Sequence, residues 1–201
     1  MSEYLENGQK VVLKVNDNIS LSKIIIGFGW NSVVHNGNKD ELFHTLKKII
    51  FGIDCDAAVL LCQNGKVQAM GDVVSFLNLR HISGAVRHMG DNLTGANDED
   101  DEQILVDLSK MPDKYDRLIF VVNIFGAKLK KQHFGMLKNV FIRIVDSNHR
   151  ELCRYEMTDK CDNMTALIFG ELYRCGNEWE FSAIGQATKD GDLNDVVKRY
   201  I

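Results

Sequence analysis

The chain has 201 residues, 45% of them hydrophobic and 26% charged, which suits one domain with a buried core and excludes disordered or collagen-like classes. Its net charge of -4 comes without a basic patch able to displace counterions from phosphates, so nucleic acid is not an expected partner. The nearest basic cluster, Lys128, Lys130, Lys131 and His133, reads as a solvated turn.

Along the chain, the opening Met1-Ser2-Glu3-Tyr4-Leu5-Glu6 carries neither the basic nor the apolar part of a secretory leader. Strands are predicted at 11–15 and 23–28, separated by the turn-prone Asn16-Asp17-Asn18. Runs such as Ile24-Ile25-Ile26 are far too short to cross a bilayer, so no integral membrane segment is expected. Asn38 and Glu41 form an N-cap and N3 pair, and Leu42, Leu46, Ile49 and Ile50 follow at helical spacing. This predicts a short inserted helix over 40–50.

A strand at 57–61 leads into Asn64-Gly65, a strong hairpin signal, and a return strand is predicted at 66–70. Later strands are predicted at 104–108, 118–125, 140–145, 152–157, 166–173 and 179–184, with Trp179 and Phe181 in the core. The tail places Leu193, Val196, Val197 and Tyr200 on one stripe, with Asp192 as its cap. The expectation is an all-β-dominated chain of one domain, 1–201: an antiparallel β-sandwich with a short inserted helix and a C-terminal helix.

Five cysteines, an odd number with no C-x-x-C, argue against a disulfide framework or a zinc site and fit reduced thiols in a cytoplasmic protein. Cys55 and Cys62 flank an apolar run and read as small hydrophobes. The six histidines are scattered and read as surface or hairpin residues, although His81 and His88 fall on facing strands if Ser83-Gly84 is a turn. Arg143, Glu171 and Arg174 interrupt apolar strands, and they are expected to alternate outward rather than to form buried ion pairs. Gly27-Phe28-Gly29-Trp30 reads as a place of close backbone approach, not as a phosphate cradle. Neither a nucleophile elbow nor a Walker loop is present, so no catalytic residues are assigned.

The densest chemistry lies between His88 and Lys110, which holds Asp91, Asp98, Glu99, Asp100, Asp101, Glu102 and Asp107 without one Lys or Arg. Crowded like charges repel unless a cation neutralises them or water screens them, so the run reads either as a calcium loop or as a solvated acidic loop. It is not an EF-hand: counted from Asp91, position 3 is Leu93 and position 6 is Ala96, where that loop needs Gly. Asp54 and Asp56, one residue either side of Cys55, point to one side of an extended chain and add a second pair of carboxylates.

These residues together resemble the TerD family, found in bacterial tellurite-resistance and general stress-response operons. The resembling stretches are Ile19-Ser20-Leu21-Ser22-Lys23 through Gly27-Phe28-Gly29-Trp30, then Asp54-Cys55-Asp56-Ala57-Ala58, and Gly90-Asp91-Asn92-Leu93-Thr94-Gly95 with Asp100-Asp101-Glu102. Phe134-Gly135, Asn139 to Ile144, Ala166 to Arg174 and Trp179 to Gln186 continue the match in order. The resemblance implies a β-sandwich that binds one or two calcium ions through acidic loops and has no established enzymatic activity. It places the metal-loop positions at Asp54, Asp56, Asp91, Asn92, Asp100, Asp101 and Glu102, and it implies that the two groups meet in space. Partners are then expected to be calcium and other stress-response or Ter-type proteins.

Departures from the family pattern are Asn31 in place of Asp, a longer stretch between Trp30 and Asp54, Ala96-Asn97-Asp98-Glu99 in place of a glycine-rich spacer, and Asp190-Gly191-Asp192-Leu193 before the last helix. Two other functions are compatible with the same acids. One is a magnesium- or manganese-dependent hydrolase, for which only His88 offers a base; the other is a calcium-dependent membrane-binding module.

Overall fold

Period-two alternation of β-branched and aromatic residues builds most of the chain into strands, and the computed structural model describes residues 2–16, 19–32, 53–91, 100–176 and 178–201. The first strands are β1 (Glu3–Leu5), β2 (Lys10–Val12), β3 (Lys14–Asn16), β4 (Ile19–Ser20) and β5 (Lys23–Ser32). They are followed by β6 (Cys55–Cys62), β7 (Val73–Val74), β8 (Val86–Asp91), β9 (Glu102–Asp107) and β10 (Arg117–Ile124). After a helical turn α1 (Ala127–Lys130) come β11 (Leu137–Asp146), β12 (Glu151–Glu156), β13 (Ala166–Cys175), β14 (Glu178–Thr188) and α2 (Leu193–Val197).

Two six-stranded sheets, ordered β1-β12-β11-β5-β9-β8 and β2-β14-β13-β10-β6-β7, form the expected sandwich. Their neighbours are antiparallel apart from β1, which runs parallel to β12. Phe28 from the first sheet meets Phe169 from the second with ring centroids 6.2 Å apart, in a core that also takes Ile26, Ile104, Phe120, Val122 and Phe181. Trp179 and Phe181 are buried, as their alternation predicts, and Cys55 and Cys62 pack as small apolar residues.

A second apolar cluster covers the outer face of the β10-containing sheet. Ala58, Leu60, Ile119 and Val121 point there and receive Val196 and Val197 of α2. Asp192 caps α2 through Oδ1, which accepts the Asp195 N–H at 3.0 Å. The predicted helix over 40–50 lies outside the described residues.

The Asn64-Gly65 turn forms with positive φ at both residues (52° and 74°), the geometry that favours this dipeptide in hairpins. The predicted return strand at 66–70 does not form. After the Gln63–Lys66 bridge the chain leaves the ladder, because the Val67 N–H donates to the Tyr200 carbonyl at 2.7 Å and the Ala69 N–H to Asp72 Oδ2. Among the described residues, β6 pairs on this side instead with β7, and only through Val59 and Leu60, which leaves its first residues without a strand partner there. β8 lies outside the predicted strands, because its Val86-Arg87-His88-Met89 shows no clean alternation.

Candidate metal centre

β6 carries two sets of side chains. Cys55 and Ala57 face the core between the sheets, so alternation carries Asp56, and Asp54 before it, to the outer face. Asp54 is exposed and Asp56 half-buried. The ladder with β10 continues past the strand end, because the Phe125 N–H donates to the Asp54 carbonyl at 2.7 Å.

The far acids approach from β9. Asp101 is pinned by its own N–H, which donates to the Phe28 carbonyl at 2.7 Å, and by Oδ2, which accepts the Trp30 N–H at 2.8 Å. Glu102 is buried and reaches across the sandwich: its Oε2 accepts the Ala57 N–H at 2.5 Å, on the edge of β6 beyond its pairing with β7. His88 completes this clasp by donating from Nε2 to the Ala57 carbonyl at 3.1 Å, with Glu102 Oε2 3.5 Å from the same nitrogen. The Gly90 N–H donates to Nδ1 at 3.0 Å, which leaves the ring proton on Nε2. One protein donor and the imidazole thus already claim that Glu102 oxygen.

Glu102 of the acidic run comes beside Asp56 through its bond to the Ala57 N–H. Burial first, then the charges of Asp54, Asp56, Glu102 and Asp101, push the Cys55 thiol pKa well above its usual value. Asp100 takes another course. It lies over Gly27 on the outer face of the first sheet, where an added Cβ would overlap its carboxylate, so the close approach expected at the glycine pair is made by an acid side chain. Arg143 grips Asp100 with two bonds, Nε to Oδ1 at 2.7 Å and Nη2 to Oδ2 at 3.0 Å, and Gln103 Nε2 adds a third at 3.0 Å.

Asp91 ends β8 in register with Glu102, while its side chain and the whole of Asn92 lie outside the described residues. Among the described residues, no three His, Cys, Asp or Glu side chains come together in a group able to hold a metal.

Arg143 and its relatives correct one expectation. Arg143, Glu171 and Arg174 do leave the sandwich core, yet they are paired there. Arg143 also reaches Glu151 at 3.3 Å, Arg117 meets Glu171 at 3.2 Å, and Arg174 stacks on the Trp179 ring at 4.7 Å. His81 and His88 are hairpin residues as expected, but both are buried and they do not face each other, because Arg80 pairs with Arg87.

His81 belongs to a second polar group. Its Nε2 lies 3.1 Å from Tyr115 Oη and 3.5 Å from Asp72 Oδ1, and Tyr115 donates to the same Asp72 oxygen at 2.5 Å. Burial pushes the Asp72 carboxyl pKa up, but the hydrogen bonds from Tyr115, His81 and the Ala69 N–H outweigh it and hold the pKa below the usual value. A depressed carboxylate stabilises the fold above its unfolded pKa, and that contribution is lost as pH falls through the folded value. Tyr115→Phe is therefore expected to destabilise the fold at neutral pH by about 1.5–3 kcal/mol, the worth of a hydrogen bond to a charged group. The deficit should narrow in acid, as pH falls below the usual aspartate range through the folded-state pKa of Asp72. Urea unfolding of both proteins at the two pH values checks this, and an unchanged deficit in acid would show that Asp72 ionisation is not involved.

Asn123 on β10 carried no sequence expectation. It is 5% exposed, sits opposite Asp56 in the β6–β10 ladder, and has no hydrogen-bond partner for Oδ1 among the described residues. The only available sequence signal is one amide inside the apolar run from Leu118 to Ile124.

Fold and site together define a two-sheet β-sandwich whose loop end gathers carboxylates from separate strands. The chain belongs to the TerD domain family, whose profile matches residues 1–200. It is 43% identical over 206 residues to stress response protein SCP2 of Bacillus subtilis (strain 168), covering 100% of both chains. It is 38% identical to the tellurium resistance protein TerD of Serratia marcescens, over 94% of this chain and 96% of that one. A crystal structure of a homologue of telluride resistance protein (TerD) from Streptomyces coelicolor A3(2) superposes with a TM-score of 0.66 at 15% identity. That superposition covers 90% of this chain and 99% of the other, and supports the sandwich fold. No helix among the described residues is long and apolar enough to cross a membrane.

Proposed function

We propose that this tellurium-resistance and stress-response family member is a cytoplasmic calcium-binding protein, in which the ion orders the acidic loops and the ordered end docks another stress-response or Ter-type protein. The observation that supports the reading is the reach of Glu102 from the acidic run to the Ala57 N–H, next to Asp56 on β6, which brings acids from two distant parts of the chain to one end of the sandwich. Oxygen-only donors of this kind suit a hard cation, and calcium accepts their irregular geometry more readily than magnesium. Asp100 contributes to the fold instead, because Arg143 already neutralises it.

The docking half of the reading rests on apolar side chains beside Asp54. Phe125 packs edge-on against Phe76 with centroids 6.5 Å apart, and Leu77 and Leu129 stand 80% and 92% exposed on the same two segments. Lys130 lays its ammonium 5.5 Å from the centre of the Phe125 ring. Exposed aromatic and aliphatic groups rimmed by charge are the usual make-up of a protein contact. The five cysteines are free and four of them are buried, which suits a reducing compartment.

The reading is of binding, without a catalytic step. Saturating calcium is expected to stabilise the fold by about 2.7 kcal/mol at a hundredfold excess over Kd, a rise of roughly 5–10 °C in melting temperature for a chain of this size. Asp56→Ala and Asp101→Ala should each reduce that rise. No shift at millimolar calcium contradicts the reading, and metal-dependent turnover in phosphatase or nuclease panels would favour the hydrolase instead.

A further inference from the structure

The register of the first sheet sets one row of side chains across its outer face. Val145, Ile25, Leu105 and Arg87 lie side by side on β11, β5, β9 and β8, and an isolated bridge adds Arg80 beyond Arg87. Their chain neighbours Ile144, Ile24, Val106 and Val86 pack in the core, so alternation turns the row outward. It is apolar at one end and doubly cationic at the other.

Residues opposite one another on an antiparallel bridge have Cβ atoms about 5 Å apart, and like charges there destabilise the pairing. Arg80 and Arg87 are both exposed, and among the described residues neither has a carboxylate partner. Beside the row lies a cavity of about 320 Å³, lined by Ile25, Leu105 and Ala85 and edged by Arg87 and Lys23. Asp107, the one acid lining it, is already engaged by the Ser109 hydroxyl at 2.6 Å and by Lys110 at 3.4 Å. Small-molecule sites share this make-up, an apolar lining with a few charged groups at its edge.

We propose that this cavity binds a small organic anion, its carboxylate or phosphate group held by Arg80 and Arg87 and its alkyl or aryl body lying on Ile25 and Leu105. Guanidinium forks meet such oxyanions with paired hydrogen bonds, and the body covers apolar side chains that the fold leaves half-buried. The cavity sits at the Lys23–Asp107 end of β5 and β9, away from the Phe28–Glu102 pair beside the acidic loops. It therefore stands independently of the calcium reading.

Heteronuclear NMR titrations of the full chain with acetate, butyrate, hexanoate, hexyl phosphate and hexylammonium test it. Hexanoate and hexyl phosphate are expected to shift the amides of Ile25, Leu105 and Arg87, and the tighter of them identifies the head group. Along the carboxylate series, affinity should rise about two- to fourfold with each added methylene. Arg80→Gln and Arg87→Gln should each weaken binding of the tighter anion about tenfold, while the melting temperature holds or rises because a like-charge pair is relieved. Both side chains are exposed; should one variant fail to fold, the other carries the test. No shift with either hexyl anion at millimolar concentration overturns the proposal, as does wild-type affinity in the arginine variants. Equal binding of hexylammonium also overturns it, and so does an affinity that ignores chain length, which would leave an adventitious ion only.

Discussion

Replacing Arg143 with methionine is expected to lower stability by about 3 kcal/mol or more, because it strands a buried carboxylate. The Asp100 side chain is 2% exposed and lies over Gly27, so water cannot take over from the guanidinium. The register explains why this pair exists. Gln103, Gly27, Arg143 and Arg154 lie side by side across β9, β5, β11 and β12, and the missing Cβ at Gly27 opens the slot that Asp100 fills. Glu151 extends the row, accepting from Arg143, Arg154 and the Ser2 hydroxyl. At roughly 2–4 °C per kcal/mol for a chain of this length, the melting temperature should fall by about 6–12 °C. The double variant Arg143→Met with Asp100→Leu should recover much of the loss, since removing both charges of a buried pair is often neutral or stabilising. Calcium binding should survive in the double variant. If it is lost there, Asp100 is a metal ligand after all.

The second large effect is expected at Glu102. Truncation to alanine removes the acceptor for the Ala57 N–H, leaves His88 without its acidic neighbour, and opens space between the sheets. Together these should cost about 3 kcal/mol. The loss is specific in place: hydrogen exchange at the Ala57 amide should accelerate far more than at Val59, which β7 protects. Glu102→Gln keeps an acceptor oxygen and should cost roughly 1 kcal/mol. Equal exchange at Ala57 in wild type and Glu102→Ala would mean that the clasp does not hold this edge of β6.

Much of this was legible in the sequence, for identifiable reasons. Strands such as β5, β9, β10 and β13 are long β-branched or apolar runs whose alternation is strong, and Asp192 announced the last helix by its position. Apart from β8, whose alternation is weak, the failures involve partners distant in sequence. Nothing near Asn64-Gly65 shows that Tyr200 will take the Val67 N–H and end the hairpin after one bridge. Asp100 sits in the middle of the acidic run, but its counter-charge lies 43 residues away on a strand that becomes a neighbour only in the folded sheet. Proximity in sequence therefore overstated the uncompensated charge of the run. Asn123 drew no attention for a related reason, since one amide among aliphatic residues carries no motif until the register sets it beside Asp56.

The central claim is that carboxylates from β6 and from the acidic run serve one calcium-ordered end of the sandwich. Heteronuclear NMR with a stepwise calcium titration addresses it most directly, because it reports location, stoichiometry and fold integrity in one series. The amide signals of residues 54–56 and 91–102 should shift and sharpen together, saturating at one or two equivalents, with the core strands unmoved. A spectrum unchanged at millimolar calcium, or changes confined to residues far from β6 and β9, would contradict it.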